Sequence, residues 1–171
     1  MWPVLLFALA ASFGLGAWLG APYVPILGQD RRKLLELTNL KPGQTIIDLG
    51  SGDGRLLYAA ASQGINGIGY EINPLLVLIS TIVCWRYRSR VKIHLANFWQ
   101  QPLPKADAIY VFLIDRYMTK LEHKLVSDIT EPTLVVSYVF ALPTVQPIRT
   151  NATAAVYQFP LAHPIAKAKS V

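Results

Sequence analysis

The chain has 171 residues, of which 53% are hydrophobic, and its net charge is +6 with the histidines neutral. From this length we expect one hydrophobic core and no second domain within these residues. Cys84 is the single cysteine, which excludes an intramolecular disulfide and a cysteine-based zinc cluster. The three histidines lie far apart in the sequence, so we expect no metal site.

The N-terminal segment is strongly apolar. Residues 4–20 are all apolar or small, and the first charged residue is Asp30. A helix that continued through Ala21 would be about 27 Å long, close to the roughly 30 Å hydrocarbon core of a bilayer. We therefore expect residues 1–29 to be a membrane anchor with a proline-containing connector, in which residues 4–21 contact lipid. Residues 30–171 would then form the folded domain.

Two alternatives to an anchor remain for this segment, a cleaved signal peptide and a hydrophobic helix that packs on the domain. The first three residues lack the positive charge that usually opens a signal peptide, although the small residues at 16–21 suit a cleavage site. Basic residues at 31–33 follow the apolar stretch directly. The positive-inside rule then predicts a single-pass membrane protein with its domain on the cytoplasmic side, or the equivalent side of another membrane.

Beyond the anchor, helices and strands are predicted to alternate. Apolar periodicity and turn residues predict helices over 30–40, 55–63, 74–85 and 117–129. Runs rich in β-branched and aromatic residues predict strands over 45–49, 67–70, 91–95, 108–114, 134–140 and 154–159. The last strand should pair antiparallel near residues 145–150. Because crossovers are right-handed, the other strands should form a mostly parallel sheet with helices on both faces.

The first strand runs directly into a turn with glycine at alternate positions, Gly50, Gly52 and Gly54. Glycine lets the backbone adopt a positive φ and approach a ligand closely. The dinucleotide fingerprint needs a further glycine where this chain has Arg55. Asp48 places a carboxylate beside the turn, where it would repel a pyrophosphate and attract an amino group. These features favour S-adenosylmethionine, which carries an amino-acid moiety and a sulfonium.

A second acidic residue ends the next strand. Glu71 lies about 20 residues beyond the glycine turn, the spacing expected for a carboxylate that binds ribose hydroxyls. Asn73 and Pro74 then suit the N-cap and first position of the following helix. Either motif alone also fits an ordinary strand-to-helix turn or a solvated strand end. Both together, in register, favour a cofactor site.

These two motifs resemble those of the class I S-adenosylmethionine-dependent methyltransferases, which have a Rossmann-like α/β fold. The resemblance implies that the cofactor is bound by Asp48, Gly50, Ser51, Gly52, Gly54, Glu71, Asn73, Asn97 and Phe98. Asn97 stands where these enzymes often have an acid that binds the adenine amino group, and an amide oxygen can accept the same bond. Phe98 or Trp99 would stack on the adenine, although core packing explains such an aromatic residue equally well.

A narrower resemblance rests on the apolar N-terminal segment, Pro22-Tyr23-Val24-Pro25 and Gly69-Tyr70-Glu71-Ile72-Asn73-Pro74. Together they look like the membrane-anchored lysine N-methyltransferases whose mitochondrial members modify the c-ring protein of ATP synthase and the adenine nucleotide translocase. This resemblance implies methylation of lysine in a membrane or membrane-proximal protein. It also implies that residues 22–25 help to cover the active site, with Tyr23 as a candidate catalytic residue. The chain departs from this family at Asn97, where aspartate is usual, and at residues 113–116.

The substrate is less well defined by the sequence. Asp115 follows the fourth strand, where it would either orient an incoming ammonium group or cap a helix. Residues 113–116 lack the Asn/Asp-Pro-Pro-Tyr sequence that holds amino groups of bases, so nucleic acid is not an expected partner. The basic residues of 86–92 are interpreted as a helix end that faces lipid phosphates. Methylation of a small apolar or lipid-like molecule, and a non-catalytic cofactor-binding scaffold, are the rival functions. The oligomeric state stays open.

Overall fold

The computed structural model describes residues 28–161. The predicted anchor at 4–21 and the candidate residue Tyr23 lie outside these described residues. Within residues 28–161, no helix has both the length and the apolar character needed to cross a bilayer.

The described chain alternates between helices and strands, as predicted. The helices are α1 (Gly28–Thr38), α2 (Arg55–Ser62), α3 (Pro74–Val83) and α4 (Met118–Asp128). The strands are β1 (Thr45–Leu49), β2 (Asn66–Glu71), β3 (Val91–Leu95), β4 (Ala108–Val111), β5 (Thr133–Tyr138), β6 (Arg149–Thr150) and β7 (Ala154–Phe159). Three short 3-10 turns lie at Trp85–Tyr87, Phe98–Gln100 and Asp115–Tyr117.

The seven strands form one sheet in the order β3-β2-β1-β4-β5-β7-β6. Strands β1 to β5 are mutually parallel, whereas β7 runs antiparallel to both β5 and β6. The mostly parallel α/β sheet and the antiparallel last strand are therefore confirmed. The strand order reverses between β1 and β4, and ligands of such sheets bind outside the carboxyl ends of the strands at this reversal.

Helices cover both faces of the sheet, as expected from right-handed crossovers. On one face, Leu121 and Leu125 of α4 pack in a buried cluster with β1, β4 and β5. On the other face, Leu34 of α1 and Leu57 of α2 belong to a second buried cluster. The Tyr110 hydroxyl donates to the Leu34 carbonyl at 2.8 Å and thereby ties α1 to β4. The core is thus divided by the sheet into two layers.

Three elements, β4, β5 and α3, end earlier than the sequence predicted. The prediction extended β4 to Ile114, but β4 ends at Val111, which pairs with Leu49 at the end of β1. Residues 112–114 are apolar but lie beyond the last residue of this pairing. The prediction extended β5 to Phe140, but Val139 has a φ of 71°, outside the β region. The prediction extended α3 to Trp85, whereas it ends at Val83 and a 3-10 turn follows.

Candidate active site

The glycine turn wraps around the end of β2. The amides of Gly50 and Ser51 both donate to the carbonyl of Tyr70, at 2.9 and 3.0 Å. Gly50, Gly52 and Gly54 have φ values of 90°, 53° and 77°. Residues with a Cβ adopt this left-handed region at an energetic cost, so the alternating glycines are required by the shape of the turn.

The surroundings of Gly50 and Gly54 give these glycines different roles. A Cβ on Gly50 would meet no atom within 4 Å, and Gly50 is exposed. A Cβ on Gly54 would lie 2.7 Å from the Ser80 Cβ and 3.1 Å from the Ser80 Cα. Gly54 therefore allows α2 and α3 to pack closely, whereas Gly50 leaves open space beside the turn.

Glu71 is buried and binds three backbone amides. One carboxylate oxygen accepts from Gly52 at 2.9 Å, and the other accepts from Ile72 at 2.9 Å and Asn73 at 2.8 Å. A carboxylate has about four acceptor positions, so one remains, on the oxygen that faces Gly52. The sequence predicted that Glu71 binds both ribose hydroxyls. One free acceptor position can bind one hydroxyl. Glu71 could bind the second hydroxyl only if one of the three backbone amides gave up its hydrogen bond to the carboxylate.

Asp48 lies at the switch point of the sheet, opposite Gly69 of β2 and Tyr110 of β4. The carboxyl is buried. Burial raises the pKa of Asp48 from 3.8 to about 7, and the negative charges of Glu71 and Asp53 contribute in the same direction. An approaching cation would stabilise the ionised form of Asp48 and offset this unfavourable environment.

Ser51 and Asn73 occupy structural positions beside these acids. Among the described residues, Ser51 Oγ is a buried side-chain oxygen without a hydrogen-bond partner. It faces Gly69 of β2, since a Cβ on Gly69 would be 2.7 Å from it. Asn73 Oδ1 accepts from the Leu75 amide at 2.9 Å, which confirms Asn73 as the N-cap of α3.

The residues expected to contact adenine pack against one another. Asn97 Oδ1 accepts from the Trp99 amide at 3.1 Å, so the oxygen assigned to adenine already has a backbone partner. Phe98 is buried in the cluster that includes α4, as its core-packing alternative proposed. The half-buried Trp99 ring lies 4.5 Å from Phe98, and the Lys120 ammonium lies 4.4 Å from the Trp99 ring centre. Adenine binding by Asn97 and Phe98 stays a prediction.

On the acceptor side, Asp115 is exposed and is the first residue of a 3-10 turn. Its capping alternative is wrong, because Ile114 occupies the N-cap position. The sequence did not predict that Phe112, which directly follows β4, pairs with Tyr138, the last residue of β5; their rings stack edge to face at 5.0 Å. It also missed Val139, since a positive φ is rare for a β-branched residue and no local signal predicts it.

The site as a whole combines two buried acids with an open backbone surface. Asp48 and Glu71 lie at the carboxyl ends of adjacent parallel strands, and the exposed Gly50 lies on the turn beside them. Carboxylates in such a place suit a ligand that presents an amino group and hydroxyl groups. The residues present therefore fit the amino-acid and ribose moieties that the sequence motifs predicted.

Two proteins that are similar to this chain in sequence are both named as lysine N-methyltransferases. The Xenopus laevis lysine N-methyltransferase named for the c-ring protein of ATP synthase is 31% identical over 144 residues, which cover 82% of this chain and 63% of that protein. The adenine nucleotide translocase lysine N-methyltransferase of Mus musculus is 35% identical over 133 residues, which cover 76% of this chain and 58% of that protein. The chain thus matches about three fifths of the length of each relative.

A solved structure resembles the fold over nearly its whole length. The crystal structure of an RNA methyltransferase from Salinibacter ruber in complex with S-adenosyl-L-homocysteine superposes with a TM-score of 0.77 and 27% identity. The match covers 82% of this chain and 97% of the Salinibacter chain.

The family model described as the ANTKMT methyltransferase domain matches residues 48–149. This range begins at the buried acid of β1 and ends in β6, so it contains both acids, the glycine turn and the aromatic pair. It also covers more than half of the chain. The chain belongs to the ANTKMT methyltransferase domain family.

Proposed function

We propose that this protein is an S-adenosylmethionine-dependent methyltransferase that modifies a lysine ε-amine of a membrane or membrane-proximal protein. The observation that carries the proposal is the pair of buried acids, Asp48 and Glu71, beside the open side of Gly50. Family membership and the lysine N-methyltransferases among the relatives support lysine as the acceptor.

On the cofactor side, each group has a distinct task. S-adenosylmethionine, when bound, supplies an activated methyl group. Asp48 would hold the amino group, because its buried carboxylate is stabilised by a nearby positive charge. Glu71 would bind a ribose hydroxyl through its remaining acceptor position while it keeps the turn in place. Gly50 would let the backbone approach the ligand without a side chain between them.

On the acceptor side, the protein must bring in lysine and remove its proton. The ordinary pKa of a lysine amine is about 10.4, and an apolar, desolvated channel lowers it toward the neutral form that can react. Phe112 directly follows β4 and Tyr138 is the last residue of β5, so both lie at the carboxyl edge of the sheet, where they would form one wall of such a channel. The exposed Asp115 would attract and orient the incoming ammonium. Tyr23 would be a further catalytic residue, because the 22–25 segment to which it belongs would cover the active site.

We also propose that residues 4–21 anchor the protein in a membrane, with its domain on the cytoplasmic or equivalent side. The apolar stretch and the basic residues 31–33 support this arrangement. A tethered site would meet membrane proteins at high effective concentration, which suits a target such as those that the two relatives are named for.

RNA methylation is a second candidate, because the Salinibacter RNA methyltransferase matches the chain over 97% of its own length. The sequence after β4 is less favourable, since Leu113-Ile114-Asp115-Arg116 lacks the motif that commonly holds the amino group of a base.

The two candidates are separated by supplying competing acceptors. Full-length protein would be incubated with methyl-labelled S-adenosylmethionine and with membranes that contain ATP synthase and adenine nucleotide translocase, total RNA or extracted lipid. We expect label on a lysine of a membrane protein, identified by mass spectrometry. The label should disappear in Glu71→Ala and persist in Glu131→Ala, an exposed acid that precedes β5 at the opposite edge of the sheet.

Label in another fraction, or no label at all, would contradict the proposal and favour an alternative function. Label in RNA would establish the second candidate, and label in lipid would establish small-molecule methylation. Cofactor binding by calorimetry, without label in any fraction, would favour a non-catalytic scaffold.

A further inference from the structure

One side of helix α3 leaves large apolar side chains uncovered. Leu76 and Ser80 of α3 are buried against the domain. Leu78, Ile82 and Trp85 are 57%, 65% and 61% exposed, and they follow one another at helical spacing. We call the following residues the α3 face: Leu78, Ile79, Ile82 and Trp85. A contiguous apolar stripe of this kind, unlike scattered exposed leucines, indicates a binding surface.

The α3 face continues into a cluster of positive charge. Arg86, Arg88, Arg90 and Lys92 are all exposed, and residues 72–106 contain no aspartate or glutamate. The Arg88 guanidinium lies 5.0 Å from the centre of the Trp85 ring, so the basic cluster and the apolar stripe are in contact. The surface therefore offers apolar contact and positive charge side by side.

This combination selects one class of partner. Interfacial helices place aliphatic side chains below the lipid headgroups, with aromatic residues and arginines at headgroup level. Single-stranded nucleic acid instead requires aromatic platforms for its bases, and three of the four α3-face residues are aliphatic. We propose that the α3 face and the basic residues at 86–92 bind the surface of an anionic phospholipid bilayer, as a second membrane contact distinct from residues 4–21.

Such a contact would fix the position of the active site relative to the membrane. α3 begins at Pro74, directly after Asn73, whose amide donates to Glu71 at 2.8 Å. The lipid-facing helix and a cofactor-site acid are therefore joined through one short, hydrogen-bonded connection. A single membrane contact would leave the domain free to rotate about it, whereas a second contact on α3 would restrict this rotation. The α3 face and the basic residues at 86–92 do not belong to the proposed cofactor site. Membrane binding by this surface can therefore be measured independently of methyltransferase activity.

The test measures whether the α3 face enters the lipid in the full-length protein. In a Cys84→Ala background, Ile82→Cys would carry an environment-sensitive nitrobenzoxadiazole label. Val126→Cys, exposed on α4 on the opposite face of the sheet, would be the matched control. Both proteins would be reconstituted with vesicles of phosphatidylcholine and phosphatidylglycerol, with or without bromine on the acyl chains. We expect quenching by bromine to be at least about twofold greater at position 82 than at position 126.

Charge dependence gives a second arm of the experiment. Arg86→Gln with Arg88→Gln should weaken the contact of position 82 with anionic vesicles by roughly fivefold for each arginine, the factor for about 1 kcal/mol per charge near a membrane. Arg149→Gln, an exposed arginine on β6 at the other end of the sheet, should leave this contact unchanged.

Three outcomes would overturn the proposal. Equal, water-like emission at positions 82 and 126 in vesicle-bound protein would show that the α3 face stays in water. A shielded but unquenched label at position 82 would mean that another segment of this chain, or a second copy, covers the face. An RNA oligonucleotide that alters emission at position 82, without quenching by brominated lipid, would assign the surface to nucleic acid.

Discussion

The Glu71 carboxylate accepts a hydrogen bond from the Gly52 amide at 2.9 Å and so joins the end of β2 to the tip of the glycine turn. Its other oxygen accepts from Ile72 and Asn73, where α3 is about to begin. One buried side chain thus holds the turn, the strand end and the start of the next helix. A residue that sequence reasoning assigned to ligand binding is also part of the architecture of the site.

Replacing Glu71 by alanine should therefore reduce stability as well as cofactor binding. Three backbone amides would lose a charged acceptor, and partial replacement by water leaves an expected decrease of about 2–4 kcal/mol in the free energy of unfolding. Glu71→Gln keeps one acceptor oxygen and should lose less. Urea denaturation without ligand measures both variants. Wild-type stability in Glu71→Ala would contradict the structural role.

Asp48 should destabilise the free protein above neutral pH. Because the pKa of Asp48 is raised from 3.8 to about 7, the folded state binds a proton more tightly than the unfolded state. Stability is therefore lost as the pH rises through this window, by an upper limit of roughly 4 kcal/mol. Asp48→Asn should be more stable than wild type at pH 8, and this advantage should fade toward pH 4. Thermal unfolding across this range provides the measurement, and a pH-independent difference would contradict the prediction.

Cofactor affinity should depend on pH in the opposite sense. If Asp48 binds the amino group of S-adenosylmethionine, its ionised form is required, and this form predominates only above about pH 7 in the free protein. The affinity should rise by up to about tenfold per pH unit below 7 and level off up to about pH 7.7, above which the amino group of the ligand loses its own proton. Calorimetry from pH 5.5 to 8.5, about three units around this pKa, tests the slope. Asp48→Asn should bind weakly with a flat profile, and a sloping profile in that variant would assign the titration to another group.

Two glycines of the same turn should respond differently to alanine. Gly50→Ala places its Cβ in open space, so we expect a loss of only about 1 kcal/mol from its left-handed backbone but a clear loss of cofactor affinity. Gly54→Ala forces a Cβ to within 2.7 Å of Ser80, and an expected loss of about 2–4 kcal/mol follows from overpacking and backbone strain. Urea denaturation and ligand titration of each variant separate the roles. Equal destabilisation by both would refute the distinction.

Much of the fold is encoded in local sequence patterns. Strands β3 and β7 have the bounds that their sequence patterns predicted, 91–95 and 154–159. The alternating glycines specify a left-handed turn, because their conformations depend on the absence of a Cβ at each position. Asp48 and Glu71 could be identified in advance because an acid at the end of a parallel strand lies at the carboxyl edge of the sheet, where ligands bind.

Other features depend on partners that are distant in sequence. β4 ends at Val111 because its neighbour β1 ends at Leu49, the residue that pairs with Val111, although residues 112–114 remain apolar. The oxygen of Asn97 was expected to be available for adenine, and its bond to the Trp99 amide depends on the 3-10 turn. The sequence showed that Glu71 is acidic and near a ligand, but its bond to Gly52 exists only once β1 and β2 are paired.

The sequence by itself determined the class of fold, the glycine turn, the two acids and the resemblance that identified the family, because these depend on residue type and short-range spacing. Only the tertiary structure decided which side of the apolar helix α3 is covered, since Leu76 packs inward and Ile82 outward according to the position of α3 beside the sheet. The same holds for the raised pKa of Asp48, whose causes are burial and two acids brought near it by folding. Burial, pairing and electrostatic coupling are properties of chain segments in contact, and a sequence read locally does not contain them.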